Sequence, residues 1–178
     1  MDDLQRPIDL VAAAERLPSE RRDALNQLLN GGLFLSHTSV DAPFIRLHIE
    51  PVAVAEFYGA FFFQNRSFPM SEAYEPHVGQ ALLSCRVFLI TLSAAAVHSR
   101  YMKAEISVSV ARHMPTVVCQ LDRTDPIELS PNLRRQLIPL RRQPLAFVDF
   151  SADPAQAAKR LRNTLARRHF RCTHSIIS

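Results

Sequence analysis

Apolar residues in this chain fall into short unbroken runs, separated by stretches with helical spacing. "LFLS" (33–36), "GAFFFQ" (59–64), "RVFLITLS" (86–93), "PTVVCQLD" (115–122) and "QPLAFVDF" (143–150) are strand-length runs that predict five strands. Ser39 can cap a helix after the first strand that runs to about Ala55, with Asp41 in its first turn and Pro51 set to end or kink it. "HVGQALLSC" predicts another helix, weakened by Gly79. Asp153 caps a closing helix over "DPAQAAKRLRNTLARRHF", with Pro154 at its first position. The stretch 99–113 is ambiguous, because "ISVSV" (106–110) alternates like a strand. Strong strands lie on both sides of it, and a parallel pair needs a crossover, which favours a helix. That helix puts Tyr101, Glu105 and Val108 on one face, with Met102, Ile106 and Val110 on the adjacent one.

Two helices are expected before the first strand. Asp9 can cap one over "LVAAAERL"; Pro18-Ser19 starts a second, with Leu25, Leu28 and Leu29 at helical spacing, and "NGG" (30–32) stops it. This segment suits a docking arm or half of an oligomer contact. "NRSFPMSEAYEP" (65–76) predicts a long loop, and "RTDPIELSPNLRRQLIPL" a loop with a short helix. Strands therefore alternate with helices five times. Continuously apolar strands imply a sheet covered on both faces, so the expected fold class is α/β, a flavodoxin-like, doubly wound, parallel five-stranded sheet with an N-terminal helical extension. Ligands on such sheets bind beyond the carboxyl ends of the strands, here the loops after Ser36, Gln64, Ser93 and Asp122.

Composition narrows the functional classes. A chain of 178 residues fits one domain with extra length at its ends. No apolar run approaches the ~20 residues of a membrane span. The start "MDDLQRPIDL" does not read as a secretory signal, and three widely spaced cysteines (Cys85, Cys119, Cys172) read as reduced thiols, so a cytoplasmic location is expected. The seven histidines are scattered without ligand spacing, and no metal site is expected. The formal charge of +4 is concentrated in the last third, at Arg134, Arg135, Arg141, Arg142 and from Lys159 to Arg171. No nucleic-acid signature accompanies it, and a solvated helix face is the simpler reading.

The chain has no GxGxxG, GxxxxGK[ST] or GxSxG, and only four glycines, which excludes the glycine-rich phosphate cradles. The acidic pair and Asp of a phosphoryl-accepting receiver are missing from the ends of the first and third strands. What stands out is Glu105, a single acid within "SRYMKAEISVSVARH" (99–113). Such a carboxylate is either a solvated helix acid or a group with a chemical task.

"GLFLSHTSVDAPFI" (32–45) resembles the opening strand and loop, F-[IL]-S-[HY]-S-x-x-D, of the TIR (Toll/interleukin receptor) domain family. "VGQALLSCRVFLITLSAAAVHSRYMKAEISVSV" (78–110) is similar to its later block, in which a helix and a strand ending L-S lead to S-x-W-C-x-x-E-[LI]; "PTVVCQLD" looks like its fourth strand. The resemblance spans about residues 32–150. Tyr101 stands where the family usually has Trp, Met102 where it often has Cys, and Gln64-Asn65 where many bacterial members carry an acid.

The resemblance implies a TIR domain over 31–170, after an extension at 1–30 and before a tail at 171–178. It implies cleavage of NAD+ at the nicotinamide–ribose bond, giving nicotinamide and ADP-ribose or a cyclic isomer, in bacterial immune signalling or a toxin-like effector. Glu105 takes the place of the catalytic acid. Ser36, His37, Thr38 and Ser39, at the end of the first strand, suit ribose or pyrophosphate contacts. Tyr101 lies one helical turn from Glu105 and can pack against the nicotinamide ribose. Asn65, Arg66 and Phe68 can cover the substrate. NAD+ is then a substrate, and no permanent cofactor is expected. The expected partners are other TIR domains in homotypic assembly and an activating protein. The alternative is a catalytically inactive TIR scaffold that acts by assembly alone.

Overall fold

The computed structural model describes residues 8–57, 60–62, 74–96, 99–122 and 145–167. Asp9 accepts from the N–H groups of Val11 and Ala12 at 3.1 and 3.0 Å and caps α1 (Leu10–Ala14). Helix α2 (Ser19–Leu29) ends at Asn30, after which Gly31 takes φ 71°, a left-handed value that glycine adopts without steric cost. The chain then runs β1 (Leu33–Ser36), a 3-10 turn (Ser39–Asp41), α3 (Ala42–His48), α4 (Glu50–Glu56), β2 (Ala60–Phe62), α5 (Tyr74–Ser84), β3 (Val87–Leu92), α6 (Arg100–Ala111), β4 (Thr116–Gln120), β5 (Leu145–Asp149) and α7 (Pro154–Leu165).

Five strands pair in parallel in the order β2-β1-β3-β4-β5. From β1 the chain moves outward to β2, then returns to lay β3 on the other side of β1. The strand order therefore reverses between β1 and β3, where ligands bind in open α/β sheets. Side-chain alternation assigns the faces. Phe34, Phe88, Ile90 and Val118 meet α1, α2, α5 and α6 on one side. Leu33, Leu35, Val87, Leu89, Val117 and Cys119 meet α3, α4 and α7 on the other. Cys85 and Cys119 are buried and form no disulfide. No described helix is long and apolar enough to cross a membrane.

Several expected elements are corrected. The helix expected from Ser39 to Ala55 is divided. Ile49 (φ −107°, ψ −49°) ends α3 and Pro51 falls in the first turn of α4. Proline has no N–H for the carbonyl of Leu47, and its ring crowds that carbonyl, so a continuous helix cannot pass through. Ser39 caps nothing: Thr38 precedes the 3-10 turn, without a side-chain bond to its backbone. Helix α5 begins at Tyr74, inside the stretch expected to be loop. Strand β5 is an edge strand with Phe147 68% exposed, so sheet coverage is incomplete there. The stretch 99–113 is helical despite its alternating segment, with Ser99 accepting from the Met102 N–H at 3.3 Å as the cap. The expected loop and short helix over 123–140 lie outside the described residues.

The segment before β1 is part of the core. Leu10, Ala13, Ala14, Leu17 and Leu29 are buried, and Leu10 and Leu29 share a cluster with α5, α6 and β3. Gly79 is the contact that lets α1 approach α5. A Cβ there would lie 2.0 Å from the backbone oxygen of Leu10. Helix propensity alone favours alanine in place of a helical glycine by ~1 kcal/mol. Steric conflict with a backbone atom outweighs that gain. Gly79→Ala is expected to lower unfolding stability by about 1–3 kcal/mol, read as a lower midpoint in urea denaturation. An unchanged or higher midpoint would mean that α1 does not hold this position in solution.

Candidate functional site

Ser36 ends β1 two residues after Phe34, so alternation points both side chains to the α5/α6 side of the sheet. Its carboxyl-end position is fixed by parallel register with Ile90 of β3. The Thr91 hydroxyl donates to the Ser36 carbonyl at 3.2 Å. On α6, Met102, Glu105, Ile106 and Ser109 follow i, i+3, i+4, i+7 spacing and are all buried. Glu105 therefore occupies a position that the helical pattern reserves for an apolar side chain. It is 4% exposed, and the Ser36 hydroxyl, 1% exposed, donates to its Oε2 in a short hydrogen bond. Of the two readings left open for Glu105, the solvated helix acid is thus excluded.

Burial decides the electrostatics of this pair. Loss of water around the carboxylate raises the Glu105 pKa from 4.5 to about 7, and the Ser36 hydrogen bond opposes the rise only in part. One turn earlier, Tyr101 is half-buried. Its ring meets Tyr74 edge-on, with centroids 4.6 Å apart at 73°. Burial, then the charges of Glu105 and Tyr101, push the Tyr74 phenol upward. Burial also raises the Tyr101 phenol, followed by the charge of Glu75 and a long 3.5 Å hydrogen bond to its Oε1. Arg16 pairs with the other Glu75 oxygen at 3.3 Å, so the connection between α1 and α2 reaches the edge of this cluster.

The other expected residues divide into three groups. His37 and Thr38 lie beside Ser36. His37 Nδ1 is 2.9 Å from the Thr38 carbonyl, and the Thr38 hydroxyl donates to Asp41 Oδ2 at 2.7 Å. Ser39 is exposed and begins the 3-10 turn. Asn65, Arg66 and Phe68 lie outside the described residues. The structure therefore brings Ser36 and Glu105 into direct contact, sets His37 and Thr38 next to them, and turns Tyr101 toward Tyr74 and Glu75.

Sequence reasoning missed Tyr74 and Glu75, because "SEAY" carries no periodic signal ahead of α5. Asp41 stands at the start of α3, as expected from its position, but its second role was not foreseen. Asp41 Oδ2 accepts from the Ser93 hydroxyl at 2.7 Å as well as from Thr38, and so ties the loops after β1 and β3 together. The Ser93 oxygen in turn accepts from the Ala96 N–H at 3.2 Å. Asp122 Oδ2 accepts from the Ala94 N–H at 2.9 Å and brings in the end of β4. Ser93 and Asp122 stand where two of the candidate loops named from the sequence begin; that signal was their position after a strand.

The raised Glu105 pKa makes a stability prediction independent of any substrate. Between pH 4.5 and about 7 the folded chain holds a proton that the unfolded chain has released. Stability contributed by this group therefore falls as pH rises through that window, by about 3 kcal/mol in total at ~1.4 kcal/mol per unit. Glu105→Gln keeps an oxygen for Ser36 and has no charge to bury. It is expected to unfold at higher denaturant than wild type at pH 8, with the difference vanishing near pH 4.5. A difference independent of pH would show that Glu105 does not titrate in this window.

No protein-family model matches the sequence, and no curated protein matches it. Among solved structures, the chain is similar to a metazoan TIR-STING receptor from C. gigas, determined in complex with 2′,3′-cGAMP. The two share 18% identity and superpose with a TM-score of 0.57 over 79% of this chain. The match covers 40% of that receptor chain, so this chain corresponds to less than half of it. At that identity the likeness establishes a shared, TIR-like α/β fold, in agreement with the strand order β2-β1-β3-β4-β5.

Proposed function

We propose that this chain is a TIR-type NAD+ glycohydrolase or cyclase. The observation that carries the reading is the buried Glu105 carboxyl, joined to Ser36 at the carboxyl end of β1 beside the strand-order reversal. The reaction breaks the bond between C1′ of the ribose and the nicotinamide nitrogen. Both bonding electrons leave with nicotinamide, which departs neutral and needs no proton. Positive charge builds on the ribose, as in glycoside cleavage. Glu105 stabilises that charge in a site where little water screens it. Water then adds to C1′ and loses a proton, giving ADP-ribose, or a ring nitrogen of the adenine adds instead, giving a cyclic isomer.

The electrostatics suit the cationic ring of the substrate. A carboxyl raised to about 7 by desolvation gains a partner when the nicotinamide ring, which carries the positive charge of NAD+, comes close. Binding then favours the ionised form needed in the transition state. The Ser36 hydroxyl holds one carboxylate oxygen and leaves the other for the substrate. Tyr101 and Tyr74 offer an aromatic wall one turn away. Such an enzyme works in the cytoplasm, where NAD+ is available, and assembles with other TIR domains under an activating partner, in bacterial immune signalling or as a toxin-like effector. The scaffold reading keeps one observation of its own: Val40, Leu47 and Val54 are exposed apolar side chains between β1 and β2 that a second copy could cover.

NAD+ consumption by purified protein tests the enzyme, first at low concentration and then crowded on beads. Wild type is expected to release nicotinamide, and Glu105→Ala to lower kcat by at least ~100-fold. Activity surviving Glu105→Ala would remove Glu105 from the mechanism. No turnover even when crowded or with candidate activators would favour the scaffold. For an active enzyme, kcat/KM is expected to rise with pH through about 7 as Glu105 ionises in the free protein, while the kcat profile bends at lower pH because the bound cation favours the carboxylate.

A further inference from the structure

The hydroxyl protons of Ser36 and Thr38, at the end of β1, are already committed. The Ser36 hydroxyl donates to Glu105 and the Thr38 hydroxyl to Asp41. Between them, His37 Nδ1 faces the Thr38 carbonyl at 2.9 Å. A carbonyl only accepts, so Nδ1 carries the proton, and in the neutral ring Nε2 is then a bare acceptor. That Nε2 is buried and has no hydrogen-bond partner among the described residues. An orphaned buried acceptor is costly to leave unmade, and a donor from outside the chain can satisfy it. The neighbouring Asp41 carboxylate, and Glu105 once ionised, are acceptors as well. This corner of the fold thus offers acceptors where a pyrophosphate would need donors.

We propose that His37 Nε2 accepts a hydrogen bond from a neutral N–H or O–H donor of the substrate, and that the 36–38 segment reads this donor rather than the pyrophosphate. The inference rests on the NAD+ reading for its substrate and on the hydrogen bonds above for its polarity. Two groups of NAD+ carry such donors near the bond that breaks: the nicotinamide carboxamide and the ribose hydroxyls. Because Nε2 has no accessible surface in the free chain, the atoms covering it must move when the donor arrives.

Two variants separate contact from fold. Asparagine at 37 can keep an N–H toward the Thr38 carbonyl and has nothing at the Nε2 position. Glutamine can place its carboxamide oxygen there. His37→Asn is expected to raise the KM for NAD+ about five- to tenfold, the loss of one hydrogen bond, with kcat within about twofold of wild type. His37→Gln is expected to recover most of that loss. The nicotinic acid analogue of NAD+, whose carboxylate has no donor, and NAD+ lacking single ribose hydroxyls distinguish the two sources. If the carboxamide is the donor, wild type discriminates against the acid analogue and His37→Asn does not. If a ribose hydroxyl is the donor, His37→Asn weakens both dinucleotides equally, and removal of that hydroxyl costs wild type the same factor. Wild-type KM in His37→Asn would overturn the proposal.

Nitrogen NMR of the full chain with labelled histidine supplies a readout that needs no turnover. The free protein is expected to show a protonated Nδ1 and a bare Nε2 at His37, and millimolar NAD+ to move the Nε2 resonance toward its hydrogen-bonded value. A protein that consumes no NAD+ but shows this shift would retire the glycohydrolase and keep the His37 contact. An Nε2 resonance unmoved by NAD+ would overturn the contact, whatever the activity.

Discussion

A carboxyl with almost no exposed surface, on the core-facing stripe of a helix, is the constraint around which this end of the fold is arranged. Glu105 sits among Met102, Ile106 and Ser109, where one more apolar side chain would be the simplest choice for stability. Burial disfavours its charge, and the short hydrogen bond from Ser36 offsets part of that cost. That bond depends on β1 register. A slip of one residue would turn Ser36 toward α3 and α4 and leave Glu105 facing a hydrophobic side chain. Pairing of β1 on both sides, with β2 and β3, prevents the slip. The sheet therefore positions a charge-bearing group that the sheet itself does not need.

Such an arrangement costs stability whenever Glu105 ionises, and natural chains keep costs of this kind chiefly where chemistry uses them. The surroundings of Glu105 point the same way. Tyr74 and Tyr101 form an aromatic pair beside it, with Glu75 3.5 Å from the Tyr101 hydroxyl and Arg16 paired with Glu75. The N-terminal segment thus does two things. Leu10 and Leu29 fill the core beside α5, and Arg16 pairs with Glu75 at the edge of the tyrosine pair.

The fold was legible in the chain because its strands are unbroken apolar runs and its helices carry their own start signals. Asp9, Ser99 and Asp153 all cap the helices that follow them. Local signals have limits, however. "ISVSV" alternates like a strand, and only the need for a crossover between β3 and β4 made it helical. Pro51 announced a break, but the division at Ile49 depends on which carbonyl the ring would strike. Gly79 looked like a flaw in a helix and proved to be the point where the Leu10 carbonyl passes, a contact between residues 69 apart in sequence. The candidate site divides the same way. Glu105 and Ser36 could each be singled out from their surroundings, but their contact spans 69 residues and no periodicity reports it. Tyr74, Glu75 and the double role of Asp41 depend wholly on tertiary approach, so nothing in the order of residues marked them.

The same approach gives the site its chemical bias. Asp41 gathers the hydroxyls of Thr38 and Ser93, and Asp122 holds the backbone at Ala94, so carboxylates knit together the loops after β1, β3 and β4. A corner stitched by acceptors uses up the hydroxyl donors of Ser36, Thr38 and Ser93. Phosphate-binding α/β folds do the reverse and aim free N–H groups from glycine-rich turns at their ligand. This chain has four glycines and no such turn motif. Under the proposed function, what the β1–β3 corner would favour is the part of a ligand that carries positive charge and hydrogen-bond donors. In a dinucleotide such as NAD+, those features lie together on the nicotinamide riboside half, on either side of the bond that a buried carboxylate would help to break.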